Sequence, residues 1–595
     1  MGASATISRR STLLVFLGLL AALAICYRTL PEQEFIVCWD DGLYVTENPD
    51  VRGFDLGKLM TRDYAALYHP LTMLTLAVEY RLWGETPLHF KLTNAFLHLV
   101  CSLLVVLFVW SLFPQHVGLG VFSGFVFAVH PQHVESVACI AERKDVLSTA
   151  LALLGLRLYL GAGGGDVAAR FRDRRYWLSL LCFLFGLLSK PMVVTFPLLL
   201  LLVDLYRNGR ITRDDLVTKL PHFGLSLVFG LITLRSQVTD PSALAAYAPA
   251  PPFAFIEAIA FYAWKGVFPT GLSAVYQRNA LDLGVYPWVF ALVLIGMGAW
   301  AARVGPRSWR GVAFSAGFFL VSIALVSGLI PFASWQFAAD RYFYLSSVGL
   351  FLFLGLVVSE ISDRAPGSMR SKRLLLVALG AAYCVALGVL SLDRMAAWSD
   401  CESLWQDVVH TYPRSDWAHD QLGGYYSGHG DDARAAHHFA EALRWQPDNA
   451  PVAFSLAVVL DRQGEHREAR GLYEDAIEMD PTIWRAHHNL GLLLLKQGLW
   501  ASAVQHLEQA DAAYPGFVWN CHFLGVAQRR MGETDRALRT FRRCLAIHPN
   551  HADTLTELAH LHLELGEMQK ARRVLKAARR QGQRPDPALE PQPRP

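Results

Sequence analysis

No Cys-x-x-Cys pair and no other metal-ligand spacing occurs among the nine cysteines at 26, 38, 101, 139, 182, 384, 401, 521 and 544, so a cysteine-built zinc site does not organise this chain. Most of these cysteines lie in apolar runs and read as packed or lipid-facing residues; any disulfide pairing is illegible from spacing. Charge is also scarce. Only 18% of residues are charged, and 54 basic against 51 acidic side chains leave a net charge of +3, too small an imbalance to mark a nucleic-acid partner. At 595 residues and 53% hydrophobic, the chain is too apolar for a single soluble domain and long enough for more than one unit.

What is present is unevenly distributed. Nearly all long apolar runs fall within residues 1–392, and the remainder is polar and helical. Ser11–Tyr27 follows Arg9-Arg10 and reads as a first membrane helix rather than a signal peptide, because further apolar runs follow it. Those runs lie near 90–113, 117–131, 145–161, 176–189, 191–206, 218–234, 286–302, 311–330, 342–359 and 373–391, giving about eleven spans. The basic stretches Arg9-Arg10, Arg170–Arg175, Arg207–Arg213, Arg303–Arg310 and Arg364–Arg373 then share one side, the cytoplasmic one. Phe255–Phe268 must be re-entrant or interfacial for this count to hold. On the opposite face fall a first loop at 31–89, which holds Trp39–Tyr80, together with His130–Asp145, Ser189-Lys190-Pro191 and Pro331–Tyr342. These stretches carry most of the unusual polar residues of the apolar half.

Cys38-Trp39-Asp40-Asp41-Gly42 sets two adjacent carboxylates beside the first span, where ionisable groups are costly and usually functional. The competing reading is a turn capped by aspartates. In His130-Pro131-Gln132-His133-Val134-Glu135 and on to Glu142-Arg143-Lys144-Asp145, polar residues interrupt an apolar run. Three readings compete there: a metal site, an anion site, or a salt-bridged helix. His-x-x-His is not the HExxH zinc pattern and no third ligand has a defined spacing. An anion site built from Arg143, Lys144, Lys190 and Arg341 fits better, because guanidinium and ammonium groups suit phosphate. Any one of these cations alone would read as an interface anchor.

The second half is periodic. Pro413, Pro447, Pro481, Pro515 and Pro549 recur every 34 residues, the tetratricopeptide period. Leu422-Gly423, Leu456-Ala457, Leu490-Gly491, Leu524-Gly525 and Leu558-Ala559 keep that register. So do the small residues Ala435, Ala469, Ala503, Ala537 and Ala571 and the large Phe439, Tyr473, Leu507, Phe541 and Leu575. About five helix pairs should stack into a right-handed superhelix over 413–583, after a connecting helix at 393–412 and before a disordered tail at 584–595, with Gln581–Pro595 rich in Pro and Gln. His419, Tyr425, Trp484, His487, His488, Asn489 and Asn520 are candidates for a concave, peptide-binding surface. An odd number of spans puts the repeats on the same side as Asp40 and Asp41. The fold class is therefore all-α, a polytopic membrane domain followed by an α-solenoid.

Trp39-Asp40-Asp41, the His130–Ser136 and Glu142–Ser148 stretches, Leu188–Pro197 and Ala339-Asp340-Arg341-Tyr342 resemble bacterial tetratricopeptide-repeat membrane proteins and, through them, the animal TMTC family of transmembrane O-mannosyltransferases. Both are similar to the C-type glycosyltransferases, which use polyprenyl-phosphate sugars. The resemblance implies an enzyme that moves a sugar, mannose by the animal likeness, from a polyprenyl-phosphate donor to Ser/Thr hydroxyls of a polypeptide held by the repeats. It implies that Asp40 and Asp41 lie at the transfer site, one of them as general base. Arg143, Lys144, Lys190 and Arg341 would then stabilise the departing phosphate, and His130, His133 and Glu135 would position donor or acceptor. No resident metal is implied, although adjacent aspartates can hold Mg²⁺ or Mn²⁺. The expected location is a bacterial inner membrane with extracytoplasmic repeats, or the endoplasmic-reticulum membrane in a eukaryote. The alternatives are the same fold acting on a lipid or glycan, and a non-catalytic scaffold assembling an envelope complex.

Overall fold

The computed structural model describes residues 9–163, 166–239, 254–277, 284–304, 306–328, 337–364 and 368–580. The expected tail at 584–595 and the Pro331 end of the last outer stretch lie outside them. The chain divides into two compact units, Met1–Arg414 and Ser415–Pro595. Every named element among the described residues is helical, and the extended segments meet only in the isolated bridges Tyr64–Leu67 and Tyr276–Ala338.

In the first unit a helix occupies each of the eleven expected segments: Arg9–Cys26, Pro87–Leu112, Val117–Val129, Arg143–Gly161, Arg174–Ser189, Phe196–Asn208, Leu220–Thr239, Tyr286–Val304, Pro306–Ile323, Phe343–Arg364 and Met369–Ala397. Among the described residues, five stretches are long and apolar enough to cross a membrane: Arg9–Glu32, Pro87–Leu112, Pro191–Asn208, Asp340–Arg364 and Arg370–Ala397. This fits a multi-pass membrane protein. The helix at Ala254–Lys265 has 12 residues and rises about 18 Å. That is well short of a hydrocarbon core about 30 Å thick, in keeping with a non-spanning element. Small residues let the long helices approach closely. A Cβ on Gly349 would lie 2.7 Å from the Ser315 carbonyl oxygen, so the Pro306–Ile323 and Phe343–Arg364 helices pack backbone to backbone there.

Between the spans, short elements fold back to build one polar cluster. Pro70–Trp83 packs beside the Arg174–Ser189 helix, and Thr72 donates to the Ser189 carbonyl at 2.9 Å. Three contacts bind the first loop to the segment after the last long helix. Cys38 is disulfide-bonded to Cys401, Trp39 meets Trp405 edge-on at 5.6 Å, and the Glu34 amide donates to the Ser399 carbonyl. Spacing could not reveal a pairing across 363 residues.

Among its described residues the second unit holds five helix pairs: Asp416–Gly428 with Asp432–Trp445, Ala450–Gln463 with His466–Met479, Trp484–Lys496 with Trp500–Ala513, Val518–Arg530 with Thr534–Ile547, and Ala552–Glu564 with Met568–Arg580. The expected small and large core residues are buried throughout, Ala435, Ala469, Ala503, Ala537 and Ala571 completely. Gly423 explains its own position: a Cβ there would lie 2.6 Å from the Phe439 ring. Cys521 and Cys544 form a disulfide between the two helices of the fourth pair.

Two pairs carry a histidine contact at equivalent positions. His419 and His438 share Nδ1 atoms 3.0 Å apart, and 68 residues later His487 and His506 stand 3.1 Å apart. One imidazole must donate to the other, so the contact requires at least one neutral ring. Burial and the His419 and His437 rings lower the pKa of His438 from 6.5 to about 4, and burial with His487 lowers that of His506. The unfolded chain then binds protons that the folded unit refuses, so stability present above pH 6.5 is lost as pH falls toward about 4. Melting of the full chain followed by circular dichroism should show the repeat transition moving down across this window. His438→Leu with His506→Leu should flatten the slope, since Leu472 fills the same position in the second repeat.

Candidate active site

The cluster is anchored by a buried turn. After the Val117–Val129 helix the chain runs through Val134–Ala138 to a short turn at Ile140–Glu142, and then enters the Arg143–Gly161 helix. Asp41 is completely buried against this turn. One of its oxygens accepts from the Ala141 amide at 2.9 Å, the other from the Ile36 amide at 3.0 Å. Burial pushes its carboxyl above the usual range despite the Lys91 ammonium and these amides. Asp41 therefore ties the first loop to the 139–142 turn, with each oxygen on a backbone amide and none of the side chain exposed. Asp40 is different: its side chain is 35% exposed, with one oxygen 3.7 Å from the Lys144 ammonium.

Lys144, Lys190 and Arg341 converge on Glu142. Lys144 Nζ lies 3.0 Å from Glu142 Oε1, Arg341 Nε 3.6 Å from the same oxygen, and Lys190 Nζ 3.9 Å from Oε2. Glu142 is fully buried. Burial alone would raise its pKa, but Lys144, Arg341 and Lys190 hold it well below the ordinary value. Each cation also has a second carboxylate. Lys144 has Asp40, Lys190 has Asp145 at 2.6 Å, and the Arg341 guanidinium has Glu135. Glu135 also accepts from the Arg341 backbone amide at 3.0 Å. Burial raises the Glu135 pKa against the pull of Arg341. Aromatic faces complete the walls: Tyr44 stands 4.5 Å below Lys144, and Arg341 lies between Trp39 and Tyr342.

Of the residues selected from sequence, the structure brings together Asp40, Glu135, Lys144, Lys190 and Arg341. It separates three others. Arg143 is fully buried and committed elsewhere: it faces Glu79 at 2.8 Å and donates to Asn94 Oδ1 at 2.9 Å and to the Phe90 carbonyl at 2.8 Å. It locks the Pro70–Trp83 and Pro87–Leu112 helices to the 143 turn, so it is corrected from a phosphate ligand to a structural cation. His130 and His133 also leave the site. His130 contacts the Gly266 carbonyl at 3.2 Å and His133 the Phe127 carbonyl at 2.7 Å, both inside an aromatic cluster with Phe343, Tyr344 and Phe351. Glu142 and Asp145 also join the cluster, although no spacing sets them apart within the polar stretch, and the one sequence signal for Glu79 is a lone acid inside an apolar helix. Among the described residues no group of three or more His, Cys, Asp or Glu is arranged to hold a metal ion.

The expected concave residues of the second unit are also largely committed to packing. His419, His487, His488 and Asn520 are buried. Asn520 donates to the Ala510 carbonyl at 3.1 Å, and Trp484 stacks on Tyr514 at 5.0 Å.

A helical membrane unit with a buried ring of charges, followed by a repeat solenoid, defines a multi-pass membrane protein bearing tetratricopeptide repeats. Models described as "Tetratricopeptide repeat" match residues 422–482, 454–516 and 528–589. The chain is 25% identical to Protein O-mannosyl-transferase Tmtc1 of Drosophila melanogaster over 76% of its length and 64% of that protein. It is 21% identical to human Protein O-mannosyl-transferase TMTC3 over 85% and 60%, and 24% identical to human TMTC4 over 70% and 64%. The chain is TMTC-like, and spans roughly three fifths of the length of these curated relatives. Among solved structures, a match to YrrB, titled a TPR protein with an unusual peptide-binding site, covers 31% of this chain and 94% of that one at 19% identity and a TM-score of 0.29.

Proposed function

We propose that the chain is a membrane glycosyltransferase that moves a sugar, by preference mannose, from a polyprenyl-phosphate donor to Ser/Thr hydroxyls of a polypeptide. The observation that carries this reading is Asp40. It is a partly exposed carboxylate at the edge of a buried charge ring, in a chain similar to proteins named protein O-mannosyl-transferases. An Asp40 oxygen takes the proton of the acceptor hydroxyl as that oxygen attacks the anomeric carbon. The bond from that carbon to the phosphate oxygen breaks, and its electron pair leaves with the lipid phosphate. Arg341, whose side chain is 13% exposed against 5% and 4% for Lys144 and Lys190, is the first cation an entering phosphate meets. The two lysines add charge behind it. A departing monophosphate is then neutralised by side chains, so EDTA should leave transfer intact. The repeats supply the polypeptide partner.

Both disulfides suit an oxidising compartment, which supports placing the first loop and the repeats outside the cytoplasm. Cys401→Ser should free the first loop, lowering the thermal midpoint and reducing transfer severalfold while leaving the repeat transition in place. Paired melting and activity measurements check this.

The reading is tested by incubating purified chain with radiolabelled polyprenyl-phosphate mannose and a Ser/Thr-containing polypeptide, with other lipid-linked sugars in parallel. Protein-bound label released by β-elimination supports it. Label that enters only lipid or glycan redirects the acceptor, and no label from any donor favours a scaffold.

A further inference from the structure

Charge reverses along the solenoid. Residues 416–480 hold 13 Asp or Glu against 5 Lys or Arg, whereas residues 518–580 hold 12 Lys or Arg against 6 Asp or Glu. The reversal keeps the 34-residue register. Arg539 and Arg573 occupy equivalent positions on the second helices of the fourth and fifth pairs, and so do Arg542 and Lys576. The three earlier second helices have His437, Gly471 and Gln505 at the first of these positions and Ala440, Glu474 and Glu508 at the other. Residues three apart on a helix share a face, so four exposed cations form one block, carried by the last two pairs.

The acids of these two pairs are engaged elsewhere. Glu557 and Glu564 pair with Arg529, Glu533 with Arg536, and Glu567 with Lys570. Asp535 and Asp553 lie in the first turns of their helices, where the positive end of the helix dipole accommodates them. Among the described residues, Arg539, Arg542, Arg573 and Lys576 make no salt bridge. The apolar stripe of the last helix is spent inside the repeat: Ala571 and Leu575 are buried, and Val574 packs against Phe541, Leu558 and Leu561. Outward the helix offers charge with no face to insert. A helix that merely keeps the end of a solenoid soluble would mix the two signs, yet Met568–Arg580 has six basic residues and no acidic one.

We propose that this block is a docking surface for anionic phospholipid headgroups. Among its described residues the same chain has five stretches long and apolar enough to cross a membrane, so a bilayer surface stays within tethered reach of the repeats and modest intrinsic affinity suffices. Each Lys or Arg brought to an anionic surface is worth roughly fivefold in binding. Guanidinium groups suit the phosphate oxygens, because their planar fork donates two parallel hydrogen bonds. The acidic first two pairs are repelled by the same headgroups, so the solenoid meets the surface by its last two. With no apolar face inserted, the contact is electrostatic and weakens as salt rises. It does not depend on the sugar-transfer reading.

The test holds the full chain in phosphatidylcholine nanodiscs and titrates it with separate liposomes, of phosphatidylcholine alone or with phosphatidylglycerol, reading binding by flotation. Wild type should float with the phosphatidylglycerol liposomes and be released by salt. Arg539→Gln, Arg542→Gln, Arg573→Gln and Lys576→Gln together should lower that binding by on the order of 10²-fold. The melting midpoint of the repeats should stay put, because all four side chains are exposed. Lys in place of Arg539, Arg542 and Arg573 should keep most of the binding. Basic stretches of the first unit such as Arg170–Arg175 can also hold anionic liposomes, so equal flotation of wild type and the fourfold variant overturns the proposal. A wild type that ignores both liposomes, or that binds polyglutamate in their place, overturns it too, the second result making an acidic polypeptide the occupant. If the fourfold variant does not fold, Arg539→Gln with Arg542→Gln and Arg573→Gln with Lys576→Gln are each compared with wild type. Each pair should lose on the order of tenfold, and no loss in either is decisive against the proposal.

Discussion

Asp40→Asn is expected to lower sugar transfer by about 10²- to 10⁴-fold, the usual worth of a general base, with the yield of folded chain unchanged. Asp40 is the more exposed of the two aspartates, and its loss removes only a 3.7 Å contact with Lys144. Asp41→Asn should do the reverse. The two Asp41 oxygens accept from opposing amides of Ile36 and Ala141, so an amide NH₂ in place of either oxygen would face a donor. The resulting unsatisfied buried group costs about 1–3 kcal/mol, seen as lower yield and a lower melting midpoint. Transfer per folded molecule should fall far less than in Asp40→Asn. Activity normalised to folded protein separates the two, and a larger specific loss in Asp41→Asn would reverse the assignment.

The neighbouring basic residues should split in the same way. Arg143→Gln breaks a buried pair with Glu79 and leaves that acid without its partner, a change that costs about 3–5 kcal/mol. Most of the chain should fail to accumulate in the membrane. Arg341→Gln removes the most exposed cation of the ring. It also breaks the buried pair with Glu135, so some folded yield should be lost, but transfer per folded molecule should fall by on the order of 10²- to 10³-fold, the cost of one donor to developing charge. Membrane yield and specific activity, measured together for both variants, check this. Folded, inactive Arg143→Gln would return Arg143 to the phosphate site.

These contrasts mark where the sequence was readable. Charge and span counting place Asp40, Glu135, Lys144, Lys190 and Arg341 on one face, and the structure brings these five side chains into one cluster. The repeats were legible to the residue, because a 34-residue period forces the same small and large side chains to recur. Adjacent residues were not separable. Asp40 and Asp41 look alike as letters, and only the amides of Ile36 and Ala141, which no pattern announces, distinguish them. Arg143 and Lys144 differ by about 100° around a helix, which sends one toward Glu79 and the other toward Asp40. His130 and His133 resembled site residues because buried imidazoles that bond to backbone carbonyls carry the same sequence signal as functional ones. The concave-face candidates divide for a related reason, with His419, His487, His488 and Asn520 buried and Tyr425, Trp484 and Asn489 half-buried: periodicity tells which positions are equivalent, but a buried His pair and an open one read identically.

The account turns on whether this chain, through Asp40, places sugar on protein. Mass spectrometry of a secreted Ser/Thr-rich polypeptide co-expressed with the chain measures that most directly, with wild type beside Asp40→Asn at matched membrane levels. Hexose on Ser or Thr with the wild type, and none above background with Asp40→Asn, is the predicted result. Equal hexose with both, or none with either while the chain is folded in the membrane, would contradict it.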